Sequence, residues 1–244
     1  MSSNKIKAKV FDIQRASLVD GTGIRTTIFF HNCNLRCQWC HNPEGLITLD
    51  KDKSSIFNIK EYTVDELINI VSEDIPFYRE TGGVTCSGGE CMLQGNFLLS
   101  FLRECKKKGI NTVIDTAGFV PFESFMKIIS CTDLFLYDIK CITPELHQKF
   151  TGINNARILS NLRGLFNMGA DIIIRIPLIP GFNDTDDEFY KIKDFLSEFK
   201  PREIEILPFH TMGYGKYEKL GLKYEKFKEP DDEMINHFKK ILEI

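Results

Sequence analysis

Apolar residues along the chain alternate between two rhythms. Short β-rich runs read as strands: Arg25–Phe30 (RTTIFF), Gly83–Gly89, Asn111–Gly118, Leu134–Lys140, Asp171–Gly181 and Glu203–His210. Between them apolar residues recur at helical spacing. The spacing predicts helices over Thr63–Asp74, Asn96–Gly109, Pro121–Ser130, Thr143–Phe150, Asn155–Gly169, Asp184–Phe199 and Asp231–Ile244. End signals agree with these helices. Thr63 and Glu66 have capping-box spacing, Pro121 opens a helix, and Lys106–Lys108 with Gly109 close another. Six strands alternating with helices predict an α/β fold with a parallel sheet, a barrel or part of one. Such folds gather functional groups at the C-terminal strand ends. Here those ends read SGGE, DTAG, DIK, RIP and PFH, and the first strand runs into a cysteine-rich loop. All of them point to one shared site.

Composition narrows the class. The chain has 244 residues, 43% hydrophobic and 27% charged, with a formal net charge of −3. That is enough for one large domain, taken as 1–244, and shows no basic excess of the kind nucleic-acid binders carry. No stretch has the apolar core of a signal peptide or the roughly 18 apolar residues of a membrane span. A soluble cytoplasmic protein is expected, so the eight cysteines are expected as thiols and not as a disulfide framework. Core packing is expected for Cys105 and Cys131, and also for Cys86 and Cys91. His147 and His237 are read as helix surface, and the polar tracts Ile47–Glu61 and Gly213–Asp231 as exposed loops.

The chemistry concentrates in HNCNLRCQWCHNPEG, residues 31–45, where Cys33, Cys37 and Cys40 are spaced C-x3-C-x2-C. Thiolates are soft ligands suited to zinc and to iron–sulfur clusters. His31 or His41 could complete a Cys3His zinc site. A cluster held by three thiolates would instead keep one iron open for a chelating ligand. Residue counting leaves both open.

The wording around the loop resolves further. C-x3-C-x2-C with Trp39 before the last cysteine resembles the radical S-adenosylmethionine (SAM) enzymes, as does SGGE at Ser87–Glu90. DGTGIRTTIFFHNCNLRCQWCHNPEG, GGVTCSGGE, IDTAGF, YDIK, HQKFTGI, IRIPLIPGFND and ILPFH together resemble the activating enzymes of glycyl radical enzymes, of which the pyruvate formate-lyase activase is one. The resemblance covers nearly the whole chain. It implies a partial (β/α)6 TIM-like barrel, the radical SAM fold, and one [4Fe–4S] cluster on Cys33, Cys37 and Cys40. It further implies reductive cleavage of SAM to a 5′-deoxyadenosyl radical. That radical would abstract a hydrogen from a backbone glycine of a partner glycyl radical enzyme, such as pyruvate formate-lyase or a related decarboxylase or dehydratase. The expected electron donor is a flavodoxin or ferredoxin, and the expected state is a monomer with no membrane or nucleic-acid partner.

The resemblance also assigns cofactor-binding residues. Trp39 would stack near the adenine, with Asn42 close by. Gly88 and Gly89 would let backbone approach the ligand, and Glu90 would meet the methionyl ammonium. Asp115, Thr116 and Asp138 would lie around the methionyl carboxylate, where a monovalent cation is a candidate. Lys140 and Arg175 would add positive charge, and His210 would stand by the ribose. Three departures are visible: Thr22 replaces a common proline, Cys91 follows SGGE, and Ala117 stands in DTAG. The cysteine-free Ile47–Glu61 segment replaces the ferredoxin-like insert of many relatives, which predicts a single cluster. Two alternatives stay open: a radical SAM enzyme acting on a small molecule, such as a deazapurine synthase, and a non-catalytic metal-binding module.

Overall fold

A computed structural model describes residues 6–46 and 59–244. Among them are eight strands, β1 (Lys7–Ser17), β2 (Arg25–Phe30), β3 (Lys60–Thr63), β4 (Gly83–Gly88), β5 (Asn111–Thr116), β6 (Leu134–Asp138), β7 (Ile172–Leu178) and β8 (Glu203–Pro208). The helices are α1 (Val64–Glu73), α2 (Ile75–Tyr78), α3 (Asn96–Lys107), α4 (Phe122–Ile128), α5 (Pro144–Thr151), α6 (Ala156–Asn167), α7 (Asp186–Leu196), α8 (Tyr214–Lys219) and α9 (Asp232–Leu242). Strand order in the sheet is β3-β1-β2-β4-β5-β6-β7-β8. The fold is α/β, with the parallel strands of a partial barrel, as expected. No helix among the described residues is long and apolar enough to cross a membrane.

All six expected strands are present; β2, β4, β5, β6 and β7 are buried on both faces as continuous apolar runs should be, whereas β8 is only partly buried. Two further strands were not expected. β1 pairs antiparallel with β2 and, on its other side, with β3. Its sequence KAKVFDIQRAS lacks an apolar run because one face carries charge to solvent. The tract expected as a loop over Ile47–Glu61 falls outside the described residues up to position 58. Its last two residues, Lys60 and Glu61, belong to β3.

The chain divides into two compact units. The first comprises Met1–Asn34, Glu44–Thr116 and Val120–Leu136. Its parallel core is β2–β4–β5, in register from Arg25↔Gly83 to Phe30↔Gly88 and from Gly83↔Asn111 onward. α1 carries the predicted capping box on Thr63 and Glu66, and buries Leu67 and Val71. α3 buries Phe97, Phe101 and Cys105. The first-unit turn with Thr22 keeps the left-handed Gly21 and Gly23, at φ +118° and +70°, so the missing proline leaves the turn intact. Cys86 and Cys91 are buried as expected, whereas Cys131 is only partly so. It sits on a short 3-10 turn after α4, with Sγ 3.8 Å from Ser130 Oγ.

The second unit comprises Leu35–Pro43, Ala117–Phe119 and Tyr137–Ile244. β7 and β8 pair in parallel. α7 packs on α9 through stacked Phe189 and Phe238, 4.0 Å apart. Two expectations are corrected here. The tract Gly213–Asp231 is not simply an exposed loop: it contains α8, and Tyr217 is buried. His147 is not a surface residue but 1% exposed. It shares an i, i+3, i+4 stripe with Phe150 and Thr151 on α5, and all three face inward. His237 is exposed on α9 and meets Asp186, as a surface residue should.

Candidate functional site

In the first unit, β2 ends at Phe30 and the chain runs directly to Cys33. The SGGE turn after β4 grips that start: Gly89 N–H donates to Phe30 O and Glu90 N–H to Asn32 O, both at 2.8 Å. A Cβ on Gly88 would lie 2.4 Å from Phe30 N, and one on Gly89 would lie 2.2 Å from Asn32 O. The two glycines are therefore required by this close approach of backbone to backbone. Glu90 is 1% exposed. Its carboxylate accepts from the Thr116 hydroxyl at 2.8 and 2.9 Å and from Met92 N–H at 3.1 Å. Asp115 accepts from Ser87 Oγ at 2.6 Å, and the Cys91 thiol reaches Asp115 O at 3.5 Å. The structure thus joins Glu90 to Thr116 and couples Asp115 to Ser87.

In the second unit, the loop carries Cys37, Trp39, Cys40, His41 and Asn42. Trp39 is 7% exposed and packs 4.4 Å from Phe182 and 6.4 Å from Phe150 by ring centroids. Cys37 packs against the same apolar cluster, which also holds Cys141, Ile179 and Phe209. Burial pushes the Cys37 thiol above its ordinary range, Lys140 pulls it back, and Asp138 opposes Lys140. Lys140 is 8% exposed and pairs with Asp138 at 2.7 Å. Arg175 is equally buried and pairs with Glu205 at 3.1 Å. Asn183, fully buried, donates to Lys140 O and Pro177 O at 2.8 and 2.7 Å and so fixes both strand ends.

His210 lies just beyond β8, with its ring 4.0 Å from that of His41. Burial, then the neighbouring His210, hold His41 down to about 4. Among the described residues, buried His210 Nδ1 meets no hydrogen-bond partner. Tyr217 Oη donates to Cys40 O at 2.9 Å and Lys216 Nζ to Asn42 Oδ1 at 3.1 Å. Ser87, Asn183, Glu205 and Tyr217 carry no role in the sequence reading, and His41 stands there only as a candidate zinc ligand. Ser87 lies within SGGE and Asn183 within IRIPLIPGFND, so both could have been found from those motifs. Glu205 and Tyr217 are brought in by pairing that has no local pattern.

None of the three loop cysteines forms a disulfide, and all are half-buried. Among the described residues no three His, Cys, Asp or Glu side chains converge as they would on a single metal ion. Three soft donors on one loop, one of them beside Lys140, fit an iron–sulfur cluster by the chemistry of the donor set.

A family profile described as Radical SAM superfamily matches residues 27–196, which defines the class as radical SAM proteins. The chain is 37% identical to the trans-4-hydroxy-L-proline dehydratase activating enzyme of Clostridioides difficile, over 96% of this chain and 95% of the relative. It is also 37% identical to the pyruvate formate-lyase-activating enzyme of Clostridium pasteurianum, over 90% of each. A crystal structure of a domain of pyruvate-formate lyase-activating enzyme from Bacteroides vulgatus matches with TM-score 0.58 and 30% identity, over 66% of this chain and 93% of that one. The chain belongs to the radical SAM superfamily and, within it, to the enzymes that activate glycyl radical enzymes.

Proposed function

We propose that this enzyme activates a partner glycyl radical enzyme, with Cys33, Cys37 and Cys40 holding one [4Fe–4S] cluster. What carries the reading is the three-thiol loop in a chain that belongs to this family. When bound, the cluster and SAM would supply the radical chemistry, in which SAM is cleaved reductively and a 5′-deoxyadenosyl radical takes a hydrogen from a backbone glycine of the partner. The protein's own groups bind and orient. Lys140 and Arg175 offer cations for a carboxylate, each steadied by its own acid, Asp138 or Glu205. Glu90 offers a carboxylate for an ammonium, and Asp115, Thr116 and Asp138 offer oxygens for a monovalent cation. The unpartnered His210 Nδ1 can take a hydroxyl or N–H of the nucleoside. Trp39, Phe182 and Phe209 form an apolar wall that excludes water.

A single cluster is supported by alignment length. The match to the C. difficile enzyme runs over 289 residues, so that relative carries residues with no counterpart in this 244-residue chain, whereas the match to the C. pasteurianum enzyme runs over 222. The reading extends to a single radical SAM domain acting as a cytoplasmic monomer, reduced by a flavodoxin or ferredoxin. Anaerobic reconstitution tests it. About four irons per chain, SAM cleavage under dithionite, loss of both in Cys37→Ala, and a glycyl EPR signal in the incubated partner are expected. Uptake of about one zinc without iron–sulfur absorption would overturn it.

A further inference from the structure

Helix α5 ends beneath the cysteine loop. A helix leaves its last four carbonyls without partners inside the helix. Here the loop supplies partners for three of them. Arg36 N–H donates to Thr151 O at 2.8 Å, and Gln38 N–H to Phe150 O at 3.1 Å. The Gln38 side-chain amide donates to Lys149 O at 3.3 Å. The backbone on both sides of Cys37 is therefore tied to one helix terminus. That terminus is closed by Gly152 at φ +84°, whose N–H returns to Gln148 O at 2.9 Å.

His147 locks this end. Its Nδ1 lies 2.8 Å from Ile153 O and 2.9 Å from Thr151 Oγ1. A carbonyl can only accept, so Nδ1 carries the proton and shares it between the two oxygens. The Thr151 hydroxyl in turn donates to His147 O at 2.8 Å. One N–H thus spans Gly152, joining the last helical residue to the first residue past the cap. Burial and then the charge of Lys140 keep the ring in its neutral form, while the bond to Ile153 pulls the other way. His147 belongs to HQKFTGI, a segment to which the site described above gives no task.

We propose that His147 is a positioning residue for Cys37: its Nδ1–H fixes the end of α5, and the carbonyls of that end fix the loop. The proposal rests on Cys37 being a cluster ligand. Two substitutions separate the hydrogen bond from the buried ring. His147→Asn puts an amide N–H close to where Nδ1–H stands; His147→Gln puts it where Nε2 stands, out of reach of Ile153 O. In the metal-free protein, hydrogen exchange at Arg36 and Gln38 is expected to accelerate in His147→Gln and to stay near wild type in His147→Asn, with β7 amides unchanged in both. In the reconstituted protein, His147→Gln is expected to release iron to a chelator about 10- to 100-fold faster, with His147→Asn close to wild type.

Unchanged exchange at Arg36 and Gln38 in His147→Gln would overturn the proposal. So would equal acceleration in both variants, which would make ring volume the cause. Acceleration spreading to β7 would also overturn it, because the imidazole would then support the whole unit and not the loop. The exchange experiment needs no cluster. If Cys37→Ala retained a full cluster, the ligand assignment would fail while exchange still reported on the loop; unchanged exchange would sink this proposal and leave the ligand assignment standing.

Discussion

Replacing Arg25 with lysine is expected to destabilise the metal-free protein by about 3 kcal/mol. Arg25 is 0% exposed. Its Nε donates to Thr85 Oγ1, Nη1 to Thr22 O and Thr81 O, and Nη2 to Val84 O, Asn111 O and Asn111 Oδ1, at 2.7–3.3 Å. All five guanidinium N–H groups are used, and no carboxylate is among these acceptors. An ammonium has three N–H groups, so at least three of the six contacts must be lost. Two of the acceptors, Val84 O and Asn111 O, are carbonyls of paired strands, which argues for the lower end of the usual cost, about 1 kcal/mol each. Burial holds the guanidinium down to about 10 from 12.5. The unfolded chain therefore keeps its proton to higher pH than the native one. The buried charge costs stability below about pH 10, and the cost is relieved as pH rises through that value. At neutral pH the six contacts must outweigh it. Urea unfolding of both proteins, followed by far-UV circular dichroism, gives the difference. For a chain of this size about 3 kcal/mol corresponds to a fall in Tm of roughly 6–12 °C. A loss under about 1 kcal/mol would refute the reasoning, since it would mean that the acceptors do not depend on the fork of the guanidinium.

Gly89→Ala is expected to displace the start of the cysteine loop, because its Cβ would meet Asn32 O at 2.2 Å. Iron content after reconstitution should fall well below that of Gly215→Ala, a helical site with nothing within 4 Å, and equal iron in the two would refute it. Lys140→Ala removes one buried charge from the second unit and is expected to weaken SAM binding about tenfold, as loss of a charge-assisted bond does. Calorimetry on the reconstituted protein checks this, with unchanged iron content as the condition and unchanged affinity as the refutation. His147 sets a pH dependence. Its folded pKa lies below the ordinary imidazole value, so between about pH 6.5 and that lowered value the unfolded chain binds the proton more readily. Unfolding free energy is therefore expected to fall with pH below about 6.5, and His147→Asn should flatten part of that slope in urea melts at pH 7.5 and 5.5. An identical slope would contradict it.

Five of the six parallel strands were legible because burial on both faces leaves an apolar run in the sequence; β8, only partly buried, was legible from the alternation in EIEILP. β1 and β3 were not, because a strand that keeps charge on one face leaves no apolar run, and their hydrogen bonds go to partners distant in sequence. In β3, KEYT contains no aliphatic residue at all, and its pairing with Lys7–Val10 makes it a strand. The three cysteines were legible as a ligand set because their spacing is local. The burial of His147 has a signal in the sequence, since positions 147, 150 and 151 share a helical stripe, but an imidazole suits a surface as well as a core and the stripe alone decides between them. Arg25 left no trace of its burial. Nothing local distinguishes an arginine that enters a core from one that covers a surface, and the decisive acceptors lie 56 to 86 positions away.

The SGGE turn shows why a motif can be read correctly as a constraint and still be read only in part. The resemblance implied glycines that let backbone approach a ligand. In the structure the backbone they admit is the protein's own, Phe30 and Asn32 at the entry to the cysteine loop. A sequence records only that a Cβ has no room, not which neighbour takes the room. The consequence is physical. With φ +109° at Gly88 and the carbonyl of Asn32 closed down on Gly89, the first turn of the loop is set by strand register, Phe30↔Gly88. Cys33 then takes its position from the sheet of the first unit, and Cys37, on the proposal above, takes its position from the end of α5 in the second. Neither cysteine depends on the loop's own conformational preferences. That is why a loop with no regular secondary structure between Asn32 and Asn42 can present thiols at defined places, and why the substitutions expected to loosen it lie at Gly89 and His147, outside the loop itself.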